Sequence, residues 1–174
     1  MTVEILLAPA GGGKTACAIS RIRALPPLSP VFVYLKQELF VSIAAAAGPN
    51  CLLASNTSVI PIGEIGAKLT DASRLLGTHW WNPPFLIPLV EIVPTDRTAP
   101  ALLGRCRDLL VRVGKTPVLL KRDVPGFVGN RLQHALWREA IALVEAGICD
   151  AETVDLVVKN SFGVRLAVLG PLVA

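Results

Sequence analysis

The chain has 174 residues, and its 17 Lys and Arg against 13 Asp and Glu give it a net charge of +4. The basic residues are spread along the sequence and are not interleaved with aromatic residues in one tract, which argues against a dedicated nucleic-acid surface and suits an anionic ligand. Hydrophobic residues make up 52% of the chain, yet no uninterrupted apolar run approaches the roughly 20 residues of a membrane-spanning helix, and the N-terminus resembles no secretory signal. We therefore expect a cytoplasmic protein that does not associate with membranes.

The segment 1–35 predicts a strand, a glycine-rich loop, a helix and a second strand. The loop reads APAGGGKT and matches the phosphate-binding Walker A pattern, except that Ala8 stands where glycine is usual. In such a loop the glycines let backbone donors approach phosphate oxygens, the lysine supplies a positive charge and the threonine holds magnesium. The residues concerned are Gly11, Gly13, Lys14 and Thr15. The predicted elements are a strand at Ile5–Leu7, a helix at Lys14–Leu25 and a strand at Val31–Leu35.

The same loop is open to two other interpretations. Gly11, Gly13 and Ala16 also fit the looser dinucleotide fingerprint Gly-x-Gly-x-x-Gly/Ala, although Pro9 disturbs the turn and the second predicted strand does not end with an acid placed for a ribose. The remaining interpretation is a glycine-rich turn that binds nothing. As a sequence, this segment resembles the N-terminus of bacterial helicase-nuclease subunits with a P-loop, which implies ATP binding.

A helix and a short strand are predicted after Lys36. The helix ends at Gly48 and Pro49, and its inward face is predicted to consist of Leu39, Phe40, Ile43, Ala44 and Ala47. The strand, Cys51–Ala54, then carries the polar loop Ser55–Ser58 at its carboxyl end, where open α/β sheets place their ligands. Small polar residues are equally typical of a plain turn.

Two segments that otherwise read as core contain ionisable residues. His79, one of two histidines in the chain, lies near the end of the predicted strand Leu75–Trp80, and Glu91 lies within the predicted strand Leu89–Val93. An imidazole can take a proton from a hydroxyl near neutral pH, and a neighbouring carboxylate can fix its tautomer and stabilise the imidazolium. The alternatives are a solvated glutamate on an edge strand and a hydrogen-bonded core histidine, because a carboxylate is costly to bury without a partner.

The second half of the chain is predicted to change from mixed α/β to helical near Asp123–Gly126. Before that boundary we predict a helix at Thr98–Val113 that ends at Gly114, with Leu102, Cys106, Leu109, Leu110 and Val113 inward, and a strand at Thr116–Leu120. After it we predict the helices Phe127–Gly147 and, capped by Asp150, a last helix ending at Lys159. Within the longer helix, an apolar stripe is formed by Val128, Leu132, Ala135, Leu136, Ala140, Leu143 and Val144. Asn130 lies off that stripe, as a solvent-facing or capping amide would.

Several segments together resemble one family. The run THWWNPP from Thr78, followed by LVEIV from Leu89, resembles the catalytic segment of NAD-dependent L-3-hydroxyacyl-CoA dehydrogenases. SNTS from Ser55, GKTPV from Gly114 and DVPGFVGNRL from Asp123 occur in the family's order and approximate spacing. The runs WWNPPFLIPLVE and SFGVRLAVLGPL are also similar to the lambda-crystallin and gulonate dehydrogenase branch.

The resemblance implies an α/β fold with an incomplete Rossmann-like dinucleotide-binding domain at 36–123, followed by the first helices of an all-α domain at 124–174. The resemblance does not include the segment 1–35. Because the helical domain carries much of the family's subunit interface, the resemblance also implies a homodimer.

The resemblance further implies NAD-dependent oxidation of an L-3-hydroxyacyl-CoA, or of a related 3-hydroxy acid that is not a CoA ester. His79 would be the base and Glu91 its orienting partner, while Ser55 and Asn130 would position substrate oxygens. Asn56, and with it Ser58, would contact the cofactor. No metal is implied.

Two other functions stay open at this level. The first is an ATP-binding P-loop protein, and the second is a non-catalytic fragment whose exposed apolar faces assemble with copies of itself. We expect the dehydrogenase activity of this chain to be weak or absent, since parts of the family's cofactor domain and helical domain have no counterpart in it.

Overall fold

A computed structural model of the protein describes residues 30–173. The strand, helix and phosphate-binding loop predicted before Pro30 lie outside these residues. The described elements are α1 (Pro30–Ala46), β1 (Leu53–Ser55), α2 (Ile62–Ile65), β2 (Leu75–Trp80), β3 (Leu89–Val93), α3 (Pro100–Arg112), β4 (Thr116–Leu119), α4 (Gly129–Glu145), α5 (Ala151–Asn160) and α6 (Phe162–Leu169). They form two units, of which the first ends at Val128 and the second begins at Gly129.

The described part of the first unit is built on a four-stranded sheet with the order β1-β2-β3-β4. The pairs β1·β2 and β3·β4 are parallel, and the central pair β2·β3 is antiparallel. The predicted bounds of β2 and β3 are those observed, while β1 and β4 differ by one or two residues at their ends. The α/β class predicted from the sequence is therefore the observed one.

Each face of this sheet has its own apolar core, because side chains alternate along a strand. One core contains Leu53, Leu75 and Val93 and packs against α1 and α2. The other contains Ala54, Leu76 and Ile92 and packs against α3 through the buried residues Leu102, Cys106 and Leu110. Both inner strands are covered on both faces, which is why their sequences read as almost continuous apolar runs.

The predicted strand Val31–Leu35 is wrong, because these residues belong to α1. A short apolar run fits a buried strand and a buried helix equally well, and Pro30 is a favourable first residue of a helix. The inward face is also corrected at one position. Phe40 is buried in the core, whereas Leu39 is 45% exposed.

The end of α3 is partly as predicted. Gly114 follows the helix with φ of 77°, a left-handed conformation that glycine adopts without a steric cost. Val113 was predicted to face inward but is 59% exposed, because Leu110 is the last residue of the helix that is buried against the sheet.

The second unit consists of α4, α5 and α6. The Asp150 carboxylate accepts a hydrogen bond from the Thr153 amide at 2.8 Å and caps α5, as predicted. The helix α6 was not predicted. It begins at Phe162, directly after the end of α5. Gly163 lies so close to the carbonyl oxygen of Val158 that a Cβ there would be 2.4 Å from it, so the close approach of the two helices requires glycine. Within residues 30–173, no helix combines the length and the apolar character needed to cross a lipid bilayer.

The apolar stripe predicted on α4 is present but largely uncovered. None of the residues of α4, α5 or α6 is buried. Leu132 is 56% exposed, and Leu136 is 41% exposed. The second unit therefore presents a broad apolar surface.

Candidate active site

His79 and Glu91 face each other across the central antiparallel pair of strands. They are register partners on β2 and β3, and the His79 Nδ1 atom lies 2.7 Å from the Glu91 Oε2 atom. His79 is 4% exposed and Glu91 is 1% exposed. The alternative of a solvated glutamate on an edge strand is wrong, since β3 lies between β2 and β4 and the carboxylate is enclosed.

Strand alternation places the candidate side chains on one face of the sheet. Ser55 pairs with Gly77, and His79 follows two positions later on β2, beyond the end of β1. Since residues two positions apart point to the same side of a strand, Ser55, His79 and Glu91 share the face that α1 and α2 cover. Ser55 is also buried. The sheet thus brings together three of the predicted site residues.

The second carboxylate oxygen of Glu91 is held by the backbone. Its Oε1 atom accepts a hydrogen bond from the Val128 amide at 3.0 Å. The residue before that amide, Phe127, is fully buried, and its ring centroid is 5.3 Å from that of His79. Neither Phe127 nor Val128 is among the site residues predicted from the sequence. The available signal was the Pro-Gly pair before Phe127, which marks a tight turn beside an apolar residue.

Trp81 packs against His79, whereas the Trp80 side chain packs on the opposite face of the sheet, against the core that contains Ala54 and Leu76. The Trp81 ring centroid lies 5.5 Å from the imidazole centroid, and the Trp80 amide donates to Asn56 Oδ1 at 3.1 Å. The Lys115 ammonium donates to the carbonyl oxygens of Pro84 and Ile87, and it lies 5.5 Å from the centre of the Trp80 ring. Lys115 therefore holds the loop between β2 and β3, a contact that the sequence did not suggest.

The loop after β1 is polar and structured. The Thr57 hydroxyl accepts a hydrogen bond from the Ile60 amide at 3.2 Å, which closes a local turn. Asn56 and Ser58 are exposed, and Asn56 is tied to β2 through the Trp80 amide. The turn interpretation and the site interpretation of this loop are thus compatible, because the turn carries polar groups beside the end of β2.

The other predicted site residues fall elsewhere. Asn130 lies in the first turn of α4, in the second unit. The predicted phosphate-binding residues Gly11, Gly13, Lys14 and Thr15 lie outside the described residues.

The geometry of the pair defines what it can do chemically. A carboxylate only accepts hydrogen bonds, so the His79 Nδ1 atom must carry a proton to bond the ionised Glu91. In a neutral imidazole with that tautomer, the Nε2 atom has a free lone pair. The arrangement can therefore accept a proton at Nε2 and stabilise the resulting imidazolium.

Two sequence profiles match the described part of the chain. Residues 32–124 match the NAD-binding domain of 3-hydroxyacyl-CoA dehydrogenase, and residues 126–173 match the C-terminal domain of the same family. Together they span most of the 174 residues.

Individual relatives agree with these profiles. The L-carnitine dehydrogenase of Streptomyces coelicolor is 40% identical over 144 residues, which is 83% of this chain and 45% of the relative. The lambda-crystallin homolog of Bos taurus is 40% identical over 143 residues, which is 82% of this chain and 44% of the relative. The chain thus spans about half the length of these curated relatives.

A solved structure shares the fold. The 3-hydroxyacyl-CoA dehydrogenase of Archaeoglobus fulgidus superposes with a TM-score of 0.74 at 35% sequence identity, covering 81% of this chain and 48% of that one. With the two profiles, this similarity confirms the predicted Rossmann-like domain followed by a helical domain. The family match begins at residue 32, so the resemblance of the segment 1–35 to helicase-nuclease subunits stays a prediction.

Proposed function

This chain belongs to the 3-hydroxyacyl-CoA dehydrogenase family, and we propose that it carries the acid/base pair for NAD-dependent oxidation of a 3-hydroxyacyl substrate. The observation that carries the proposal is the buried contact of 2.7 Å between His79 Nδ1 and Glu91 Oε2. Ionisable pairs enclosed in this way are markers of functional sites. Here the pair lies beside the polar carboxyl end of β1, where α/β sheets bind their ligands.

In the proposed reaction, His79 Nε2 accepts the proton of the substrate 3-hydroxyl group. Glu91 keeps the proton of the neutral imidazole on Nδ1 and stabilises the imidazolium that forms. Ser55 is proposed to donate a hydrogen bond to a substrate oxygen, since it shares the sheet face of His79. Asn130 is proposed to contact the substrate as well, on the basis of the family resemblance.

NAD is the cofactor of the family's matched domain, and when bound it accepts the hydride that leaves the 3-carbon. The described residues fit such a ligand. The Trp81 indole Nε1 is buried and has no hydrogen-bond partner within the described part of the protein, and its ring packs beside His79. An orphaned donor at this place suits an acceptor oxygen of a bound ligand. Asn56 and Ser58 are proposed to face the cofactor.

The proposed substrate is an L-3-hydroxyacyl-CoA, with a free 3-hydroxy acid as the alternative. A CoA thioester is the substrate named for the family. The relative from Streptomyces coelicolor, in contrast, is named for L-carnitine. Both classes present a 3-hydroxyl group to the same base. They differ in the part of the molecule that lies away from the reacting carbon.

The test is NADH formation by the complete chain with 3-hydroxybutyryl-CoA, free 3-hydroxybutyrate and L-carnitine. We expect weak but measurable turnover with one of these substrates. His79→Ala should lower that turnover by about 10²-fold or more, because a positioned general base contributes about 10² to 10⁴ in rate. The substrate that is turned over identifies the class.

His134→Ala is the matched control, since it removes the other histidine of the chain. It should keep turnover within about twofold of the unaltered chain, in line with the small effects of most surface substitutions. Turnover that survives His79→Ala would refute the proposal, and so would the absence of turnover with all three substrates.

A further inference from the structure

Phe127 has an uncommon backbone conformation. Its φ is 51°, and among residues 30–173 it is the one non-glycine residue with a positive φ. Bulky L-residues avoid this region for steric reasons, and such conformations persist where the surrounding structure holds them. Here the ring is fully buried in the core that includes Leu53 and Leu75, and the Phe127 amide donates to the Val124 carbonyl oxygen at 3.0 Å.

This conformation brings two groups to the His79–Glu91 pair. The peptide between Phe127 and Val128 directs its N–H to Glu91 Oε1 at 3.0 Å. The Phe127 ring lies against the imidazole, with 5.3 Å between the ring centroids and 53° between the planes. The carboxylate is thus held from both sides, by Nδ1 on one oxygen and by a backbone amide on the other.

The amide matters because a buried carboxylate is stable in its ionised form only while it accepts hydrogen bonds. If the Val128 N–H is removed, burial favours protonation of Glu91. A protonated carboxyl group donates to Nδ1, and a neutral imidazole then carries its own proton on Nε2. The lone pair at Nε2 would be lost.

We propose that the Phe127–Val128 peptide is a positioning element of this site, which keeps Glu91 ionised and so keeps His79 in the tautomer with a free Nε2. This inference rests on the proposed function, because the peptide matters for catalysis only if His79 acts as the base. The tautomer itself can be measured without substrate or cofactor. Failure of the inference is therefore distinguishable from failure of the proposed activity.

The test replaces the Val128 amide N–H by an ester oxygen, using the α-hydroxy analogue of valine, in a chain that also carries His134→Gln. His79 is then the one histidine of the chain. Nitrogen-15 NMR of its ring, above the pH at which the imidazole becomes neutral, reports which nitrogen carries the proton. We expect protonated Nδ1 in the parent chain and a shift of the proton to Nε2 in the ester chain.

The matched control places the same kind of ester at Thr153, whose amide also donates to a carboxylate, that of Asp150 at 2.8 Å. It removes an equivalent bond from the second unit and should leave the His79 signals unchanged. An ester at Val128 that leaves the proton on Nδ1 would overturn the proposal. An equal change in the Thr153 ester chain would overturn it too.

A second measurement does not depend on the ester chain being folded. In Glu91→Gln, the acceptor of the Val128 amide becomes neutral, and a weaker hydrogen bond moves the amide proton signal upfield. We expect this shift at Val128 and no shift at Val128 in Glu64→Gln, which alters an exposed acid of the same unit. An unmoved Val128 signal in Glu91→Gln would contradict the contact on which the inference depends.

Discussion

At the scale of single residues, the charge of Glu91 is the feature on which the site depends. The side chain is among the least exposed of the described residues, yet its two oxygens have two separate donors. A buried carboxylate that is bonded at both oxygens is fixed in direction as well as in charge. A histidine beside it is fixed in tautomer for the same reason.

Glu91→Gln tests the charge while keeping the size of the side chain. The amide cannot stabilise an imidazolium as a carboxylate does, and its NH₂ group can donate to Nδ1 and so favour the wrong tautomer. We expect kcat for the substrate identified by the turnover assay to fall by about 10²-fold or more, with KM nearly unchanged. Steady-state kinetics measures both, and a change confined to KM would argue that Glu91 acts in binding.

Glu91→Ala tests the contribution of the same residue to stability. It leaves the buried His79 Nδ1 group and the part-buried Val128 amide without their shared partner. Breaking a buried polar pair in this way costs about 3 to 5 kcal/mol of unfolding free energy. Urea unfolding of the complete chain measures it, and a loss below about 1 kcal/mol would show that water readily replaces the carboxylate.

At the scale of elements, the register of β2 against β3 depends on close packing at Gly77. This residue pairs with Val93 and lies over Ile62, the first residue of α2. A Cβ at Gly77 would lie 2.6 Å from Ile62 Cδ1 and 3.1 Å from Val93 Cβ. Both neighbours are fully buried, so neither can move without disturbing the core.

Gly77→Ala should therefore destabilise the protein by about 1 to 3 kcal/mol, the usual cost of overpacking a closed core. The matched control is Gly104→Ala in α3, where an added Cβ meets nothing within 4 Å. That change should stabilise the helix by roughly 0.5 to 1 kcal/mol, since alanine is the better helix former. Urea unfolding compares the two, and equal midpoints would contradict the packing argument.

The helix α3 carries a thiol that its packing makes unreactive. Burial raises the pKa of the Cys106 thiol from its ordinary 9.0 to about 11. At pH 8 we expect Cys106 to be alkylated far more slowly than the partly exposed Cys51 and Cys149, because the thiolate is the nucleophile. Peptide mapping after timed alkylation measures the rates. The difference should disappear in denaturant, and a fast reaction in the folded chain would contradict the burial.

The same pKa sets the sign of a pH effect on stability. The folded state holds the Cys106 proton more tightly than the unfolded state does. The protonated thiol therefore contributes fully to the unfolding free energy below about pH 9, and this contribution is lost as the pH rises towards 11. Cys106→Ala should make the unfolding free energy less sensitive to pH across that interval. Urea unfolding at several pH values tests this, and identical slopes in both proteins would contradict it.

At the scale of the whole molecule, the two units differ in how well their apolar residues are covered. The first has two closed cores, one on each face of its sheet. The second has no buried residue in any of its three helices. Large exposed apolar surfaces mark sites of association in soluble proteins.

We expect the complete chain to self-associate through the second unit. Ile141, which is 57% exposed on α4, provides the test. Ile141→Glu should lower the mass measured by light scattering, because a charge is costly to bury in an interface. Val113→Glu, at a position that is 59% exposed in the first unit, is the matched control and should leave the mass unchanged. A monomer in the unaltered chain would contradict the expectation.

The types of the elements could be predicted from the sequence wherever several local signals agree. Alternating turn residues and apolar runs were sufficient for β2 and β3, the Asp150 cap for the start of α5, and Gly114 for the end of α3. The order of several long motifs was sufficient for the family. Where only an apolar run was available, at Val31–Leu35, a helix and a strand were indistinguishable, because an apolar run this short fits either element.

The contact between His79 and Glu91 could not be predicted from local sequence. That contact depends on the antiparallel register of two strands, and a shift of one residue would turn one of the side chains to the opposite face. The position of the Val128 amide depends in turn on the left-handed backbone conformation of Phe127. A phenylalanine disfavours this conformation for steric reasons, and the surrounding core maintains it. Local sequence encodes local preference, whereas a site built from three separate segments is fixed by the packing that brings them together.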